Sequence, residues 1–97
     1  MKDVNAIGEN IMRVRKKSGL TQAQFGEVIG KSQSTVYSYE NGSVIPSFEV
    51  LATISHFFGV SVGYLMGIEW SPLSGKTLRE LYEMYVEEAR EDEQKKQ

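Results

Sequence analysis

The sequence predicts an all-α protein, with five short helices in one domain and an additional amphipathic helix towards the C-terminus. Apolar residues recur at intervals of three and four residues along most of the chain, which is the spacing of one helix face. Residues that cap helices (Ser, Thr or Asp) precede these segments, and glycines follow most of them. No segment shows the alternation of apolar and polar residues that is typical of a half-buried strand.

The first helix is predicted from an apolar stripe near the N-terminus. The stripe consists of Val4, Ile7, Ile11 and Val14. At 100° per residue these side chains occupy one narrow arc of a helix. Asp3 is the expected N-cap, and Ser18-Gly19 ends the helix, with Gly19 in a left-handed conformation. We therefore expect the first helix over residues 4–17.

Four more helices are predicted from the same kinds of signal. With their N-caps they are 22–29 after Thr21, 33–40 after Ser32, 48–58 after Ser47, and a short helix after Ser61 that ends near Gly67. The second helix is expected to bury Phe25, Val28 and Ile29. The buried side of the fourth is expected to comprise Phe48, Leu51, Ile54 and Phe58.

A change of composition separates the last helix from the rest. Residues 68–75 (IEWSPLSG) contain Pro, Gly and Ser and are predicted to be a linker between residues 1–67 and residues 76–97. A helical pattern resumes over 76–93, with an apolar stripe opposite a row of glutamates. The stripe consists of Leu78, Leu81, Tyr82, Tyr85 and Ala89.

Composition excludes several classes of function. The 97 residues include no cysteine, which excludes disulfides and thiolate chemistry. No apolar run reaches the ~20 residues that a membrane span needs, and the first ten residues lack the apolar core of a signal peptide, so we expect a cytoplasmic protein. The only histidine, His56, has no acid partner in motif spacing. We therefore expect no catalytic site, metal or cofactor.

Net charge gives a limited indication of the partner. The formal charge is −2, and residues 1–70 carry six basic and six acidic residues. Four basic residues fall within five positions, namely Arg13, Arg15, Lys16 and Lys17. Any attraction to nucleic acid must therefore come from local charge rather than from the total.

The third helix separates packing residues from polar residues. On a helical wheel, Val36 and Tyr39 lie on one side, and Gln33, Ser34, Tyr37 and Ser38 lie on the other. Amides and hydroxyls exposed at the N-terminal end of a helix suit hydrogen bonding to base edges in the major groove. Residues 21–42 therefore predict a helix-turn-helix that binds double-stranded DNA, with the third helix as the reader.

The same segment resembles the helix-turn-helix of lambda-type repressors and of the wider Xre-like family. Counting from Gln22, the family pattern has a small residue fifth, glycine ninth, an aliphatic fifteenth and a large apolar residue eighteenth. These positions hold Gly26, Gly30, Val36 and Tyr39. The flanking segments GLTQ, YENG and GVSVGYLMG are similar too, and the resemblance covers residues 7–67. It implies a five-helix lambda-repressor-like domain and no enzymatic activity.

The resemblance also implies roles for individual residues. Gln33 and Ser34 match a Gln-Ser pair that reads bases, with Tyr37 and Ser38 as the next candidates. Gln22 matches a residue that contacts a phosphate and braces Gln33, and Asn41 matches a backbone contact. Two further residues, Lys31 and Ser32, precede the third helix, where side chains and free amides can hold phosphates.

A charged pair completes the family-like residues. Arg15 lies at the edge of the apolar stripe of the first helix, so we expect it to be partly buried and paired. By resemblance its partner is Glu40. We expect the pair to be mainly structural, with the orientation of the DNA-facing loop as an alternative second role.

These features favour a transcriptional regulator of prokaryotic or phage type, a repressor that binds a pseudo-palindromic operator as a homodimer. The stripe of Leu78, Leu81, Tyr82 and Tyr85 leaves three alternatives, because it can fold back on the domain, pair with a second copy or bind another protein. Dimerisation is favoured, since doubling the contacts raises affinity. The alternative function is an antitoxin or antagonist whose residues 76–93 bind a protein partner.

Overall fold

The observed secondary structure is entirely helical over the part of the chain that can be described. The computed structural model describes residues 5–95, with side chains over residues 5–91. The helices are α1 (Ala6–Lys17), α2 (Gln22–Ile29), α3 (Gln33–Glu40), α4 (Phe48–Phe58), α5 (Val62–Met66) and α6 (Leu78–Lys95). This confirms the predicted all-α class, with five short helices and one longer C-terminal helix.

Local capping explains why α2 to α5 begin where the sequence predicts. The hydroxyls of Thr21, Ser32, Ser47 and Ser61 each accept a hydrogen bond from a backbone N–H in the first turn of the helix that follows. In α2 the bond is reciprocated, because the Thr21 N–H donates to Gln24 Oε1 at 2.9 Å. These bonds satisfy N–H groups that have no partner inside the helix.

The start of α1 differs from the prediction. The helix begins at Ala6 rather than at residue 4, and the residue at its N-cap is Asn5, whose side chain makes no capping bond. The predicted cap Asp3 lies outside the described residues. At the other end, Gly19 adopts the expected left-handed conformation with φ of 72°.

The first five helices enclose one apolar core. Its fully buried members include Ile11, Phe25, Val36, Leu51, Ile54 and Leu65. The predicted burial of Val28 is wrong, because this side chain is 39% exposed. The short α2 packs through Phe25 and Ile29, which lie one turn apart, and Val28 points away from that row. Phe48 and Phe58 are half-buried against the core.

The stripe of α6 packs against the core of its own chain. Tyr85 is 1% exposed and belongs to the core, and three more stripe residues pack against it, namely Leu78, Leu81 and Tyr82. The structure thus shows the fold-back alternative, and the preference for pairing two chains through this stripe was wrong. Folding back covers the apolar surface without the entropy cost of joining two molecules.

Residues 68–75 form a turn that returns α6 to the domain. They contain a 3-10 turn, Pro72–Ser74, and Gly75 has a φ of 79°. The indole N–H of Trp70 donates to the Lys76 carbonyl at 2.7 Å and closes the turn. Across residues 5–95, no helix combines the length and apolar character needed to cross a membrane.

Candidate nucleic-acid interface

A close approach of backbone to backbone sets the angle between α2 and α3. A Cβ atom on Gly26 would lie 2.3 Å from the Lys31 carbonyl oxygen, so a glycine is required there. Gly30 ends α2 with φ of 75°, and the Lys31 N–H donates to the Gly26 carbonyl at 2.8 Å. The turn therefore holds the N-terminal end of α3 next to α2.

The two sides of α3 have different environments. Val36, Tyr39 and Glu40 are buried against the domain. Three of the predicted base-reading residues, Gln33, Ser34 and Tyr37, are exposed, and Ser38 is half-buried. The structure thus places these four side chains along the open side of one short helix. A helix of this kind can enter the major groove of DNA with that side facing the bases.

The N-terminal end of α3 is held by its own hydroxyl groups. Ser32 Oγ accepts a hydrogen bond from the Thr35 N–H at 3.2 Å and donates to Thr35 Oγ1 at 2.9 Å. The Ser34 hydroxyl lies 3.2 Å from that of Ser32. Lys31 is exposed just before this cap. The arrangement presents a cation and a helix N-terminus side by side, and both favour an anion such as phosphate.

A chain of hydrogen bonds runs from the open side of α3 into the domain. Gln33 Nε2 donates to Gln22 Oε1 at 2.7 Å, and Gln22 Nε2 donates to Glu40 Oε1 at 3.1 Å. Glu40 also accepts from Arg15, with Oε2 at 2.6 Å from Nε and Oε1 at 3.0 Å from an NH2 group. One polar network therefore connects a candidate base reader to α1.

The hydrogen bond with Glu40 keeps Arg15 charged at the inner end of this network, although burial opposes the charge. The side chains of Glu40 and Arg15 are 2% and 14% exposed, so the pair is largely shielded from solvent. The hydrogen bond to Glu40 raises the pKa of Arg15 above its already high ordinary value, and the guanidinium stays protonated. Arg15 also donates to the Leu20 carbonyl at 3.0 Å, which ties α1 to the chain before α2.

The turn after α3 orders Asn41. Its Oδ1 atom accepts a hydrogen bond from the Ser43 N–H at 2.8 Å. The Ser43 hydroxyl and the Val44 N–H both donate to the Ser38 carbonyl. Asn41 therefore occupies a fixed place at the C-terminal end of α3, opposite Lys31 at the other end.

The four basic residues of α1 do not form one patch. Arg13 donates to Asn10 Oδ1 at 2.8 Å, and Asn10 in turn donates to the Tyr64 carbonyl of α5. Arg15 points instead to Glu40, because residues two apart on a helix face nearly opposite directions. Lys16 and Lys17 are exposed. Clustering in sequence thus overstated the local positive charge.

Sequence reasoning missed the bond between Gln22 and Glu40. It assigned Glu40 a mainly structural role and Gln22 a role towards Gln33, without joining the two. The three residues lie on one side of the α2–α3 pair, and only their packing brings an acid 18 positions away against Gln22. Within the described residues there is no group of acids or histidines suited to hold a metal, and His56 is exposed.

Comparison with known proteins identifies relatives for most of the chain. Residues 11–65 match the family described as Helix-turn-helix. The antitoxin PezA of Streptococcus pneumoniae serotype 4 is 38% identical over 61 residues, which cover 63% of this chain and 39% of that protein. YobD, an uncharacterised HTH-type transcriptional regulator of Bacillus subtilis, is 31% identical over 78 residues, which cover 77% of this chain and 70% of that protein.

A solved structure supports the same assignment. The P22 c2 repressor, in complex with the synthetic operator 9T, is similar with a TM-score of 0.60 and 30% identity. The match covers 65% of this chain and 96% of that chain. The family match alone includes more than half of the residues, and the predicted resemblance is confirmed. This chain belongs to the lambda-repressor-like helix-turn-helix family of DNA-binding transcriptional regulators.

Proposed function

We propose that the chain is a sequence-specific repressor that places α3 in the major groove of its operator. Gln33 and Ser34 read base edges at the N-terminal end of α3, and Tyr37 and Ser38 extend the reading along the same side. The observation that carries this proposal is the chain of hydrogen bonds that orients Gln33 on an otherwise open polar surface. An orientation fixed before binding raises affinity because less freedom is lost on contact.

Four residues around α3 are proposed to hold the DNA backbone. Lys31 and Ser32 lie at its N-terminal end, and Asn41 lies at its C-terminal end. Gln22 lies beside Gln33, where its remaining N–H can reach a phosphate. Contacts of this type set the register of a protein on DNA, and they leave the choice of sequence to the base-reading residues.

A homodimer on a pseudo-palindromic operator is the proposed assembly, within the cytoplasm. One α3 can contact only a few base pairs, and residues 1–70 carry no net charge to add general attraction. Two copies on half-sites about one helical turn apart double both the contacts and the sequence information. Because the α6 stripe is covered within each chain, the two copies meet through another surface.

Selection of bound sequences from random DNA, run beside a sedimentation measurement, tests this function. The expected result is an enriched sequence with two-fold symmetry and a protein mass of two chains on DNA. Enrichment of a sequence without symmetry by a single chain would contradict the dimer. Failure to enrich any sequence would contradict base reading altogether.

A second candidate function is that of an antitoxin, and it is favoured by the similarity to PezA. In this interpretation, residues 1–67 bind DNA and residues 76–97 bind a protein partner. Residues 68–75 are the linker between these two parts. The outer face of α6 offers the surface, since the exposed Met84 lies among Glu83, Glu87, Glu88 and Glu91. Purification of the native protein with one unrelated, basic chain would favour this candidate, and a homodimer that binds only DNA would oppose it.

A further inference from the structure

We propose that Glu40 is a positioning residue that makes Gln33 prefer adenine to guanine. It acts through Gln22, without touching DNA. The inference rests on the proposed base reading by Gln33 and adds to it the origin of the preference. The observation behind it is the direction of the three successive hydrogen bonds that link Arg15 to Glu40, Glu40 to Gln22 and Gln22 to Gln33.

The direction of the chain is set by the chemistry of its inner end. A carboxylate can only accept hydrogen bonds, and a guanidinium can only donate them. Glu40 therefore accepts from Arg15 and must accept from Gln22 as well, which turns the Gln22 amide so that Nε2 faces Glu40. The Oε1 atom of Gln22 is then the atom left for Gln33. For that bond Gln33 has to supply an N–H, as observed at 2.7 Å.

The atoms that remain on Gln33 match one purine edge. After it has donated one N–H to Gln22, the Gln33 amide offers one further N–H and the acceptor Oε1. Adenine presents the acceptor N7 and the donor N6–H2 in the major groove, so both groups are satisfied. Guanine presents two acceptors, N7 and O6, and its O6 would face the acceptor Oε1.

The opposite direction would suit the other purine. If Gln22 presented its Nε2 group to Gln33, the Gln33 amide would accept with Oε1 and keep both N–H donors for DNA. Two donors match the N7 and O6 acceptors of guanine. The buried Arg15–Glu40 pair excludes this arrangement, because no donor is present at Glu40 to hold the Gln22 amide the other way round.

Two substitutions separate this role from simple support of the fold. Glu40→Gln keeps the shape of the side chain but adds N–H donors, so the hydrogen bonds from residue 40 to Gln33 lose their fixed direction. Gln22→Met keeps the Arg15–Glu40 pair and removes the link. Glu49→Gln is the matched control, because it makes the same change in the exposed Arg79–Glu49 pair.

Affinities are measured for two operators that differ only in adenine or guanine at one position. That position is the one where selection with Gln33→Ala loses the base preference of the parent protein. We expect the parent and Glu49→Gln to favour adenine by a factor of about ten or more, and Glu40→Gln and Gln22→Met to bring the ratio close to one. Gln22→Met also removes a phosphate contact, which lowers the affinities for both operators equally. The ratio of the two affinities therefore depends only on the orientation of the Gln33 amide.

The outcomes distinguish this inference from the proposed function. An adenine preference that survives in Gln22→Met, or in a folded Glu40→Gln protein, overturns the role of Glu40 and leaves base reading intact. A parent protein that prefers guanine at this position overturns it too. If the parent enriches no sequence, or Gln33→Ala changes no position, the base reading itself is contradicted. Circular dichroism establishes folding, and Gln22→Met decides the result if Glu40→Gln does not fold.

Discussion

The residues of the interface differ in how far the sequence could identify them. Gln33 and Gln22 follow from the resemblance, because both occupy fixed offsets in a local segment. An argument about burial predicted that Arg15 is paired, but only the resemblance named Glu40 as the partner, since 25 positions separate the two residues. The bond from Gln22 to Glu40 could not be predicted, because it depends on how α2 and α3 pack and on which glutamine atom faces the acid.

Replacement of Gln33 by alanine tests base reading at a single side chain. Gln33→Ala is expected to weaken binding to the selected operator by ~1–3 kcal/mol and to leave binding to unrelated DNA nearly unchanged. Titrations of both DNAs by fluorescence anisotropy measure the two effects. Gln24→Ala serves as the control, because it removes another exposed glutamine. The side-chain amide of Gln24 accepts a hydrogen bond at the N-cap of α2. An equal loss on both DNAs would argue against base reading.

The buried ion pair makes a prediction about stability. Arg15→Met is expected to lower the free energy of unfolding by about 2–3 kcal/mol, because Glu40 stays buried without the cation that bonds it twice. Urea unfolding followed by circular dichroism measures the loss. The control Arg79→Met breaks the solvent-exposed pair with Glu49 and should change stability little. Equal losses in the two variants would mean that burial adds nothing to the Arg15 pair.

Among the elements, the short helices were predictable and the docking of α6 was not. The bounds of α2 to α4 follow from caps and glycines that act within one turn. The amphipathic pattern of α6 shows that its stripe must be covered but contains no information about which surface covers it. That choice depends on the half-buried Phe48 and on the carbonyl of Pro46, which both contact Tyr82 of α6 in the folded protein.

Tyr82 gives a test of α6 docking. Its hydroxyl donates to the Pro46 carbonyl at 2.6 Å, and its ring packs edge-on against Phe48. Tyr82→Phe should keep the ring contact and cost about 0.5–1.5 kcal/mol of stability for the lost hydrogen bond. Thermal unfolding measures this cost, and no change in melting temperature would show that the bond contributes nothing.

The same residue predicts how stability varies at high pH. Burial raises the pKa of Tyr82 above its ordinary value of 10.0, because the charged phenolate is disfavoured inside the protein. A group whose pKa is raised by folding makes its full contribution to the stability of the folded state at pH values below its unfolded pKa. This contribution is lost as the pH rises through the folded pKa. Tyr82→Phe should therefore lose less stability than the parent between pH 9 and about pH 11. Parallel melting curves would contradict this assignment.

The contact between α2 and α3 predicts the effect of one methyl group. Gly26→Ala would place Cβ against the Lys31 carbonyl oxygen, and backbone must move to make room. We expect a loss of about 1–3 kcal/mol in unfolding free energy and weaker operator binding, since α3 changes its angle. Gly30→Asn is a useful comparison, because the space around that glycine is open and asparagine tolerates a positive φ. Normal binding by Gly26→Ala would show that the angle is not critical.

For the whole molecule, the balance of charge limits the electrostatic part of DNA binding. Lys31 is the single cation among the proposed backbone contacts, so a dimer neutralises about two phosphates. A plot of the logarithm of the association constant against the logarithm of the salt concentration should therefore have a slope of about −2. Lys31→Gln should make this slope nearly flat, whereas Lys76→Gln, in the turn before α6, should not change it. A steep slope that survives in Lys31→Gln would place the phosphate contacts on other cations.

The exposure of Tyr37 has a consequence for how such a regulator can acquire a new operator. This side chain is 55% exposed, and within residues 5–91 it makes no side-chain hydrogen bond, whereas Gln33 is linked by hydrogen bonds through Gln22 to Glu40 and Arg15. A change at Tyr37 should therefore alter DNA preference without disturbing the fold, but a useful change at Gln33 needs compensating changes at Gln22 or Glu40. Evolution towards a new target is then expected to begin at the Tyr37 end of α3 and to reach the base read by Gln33 last.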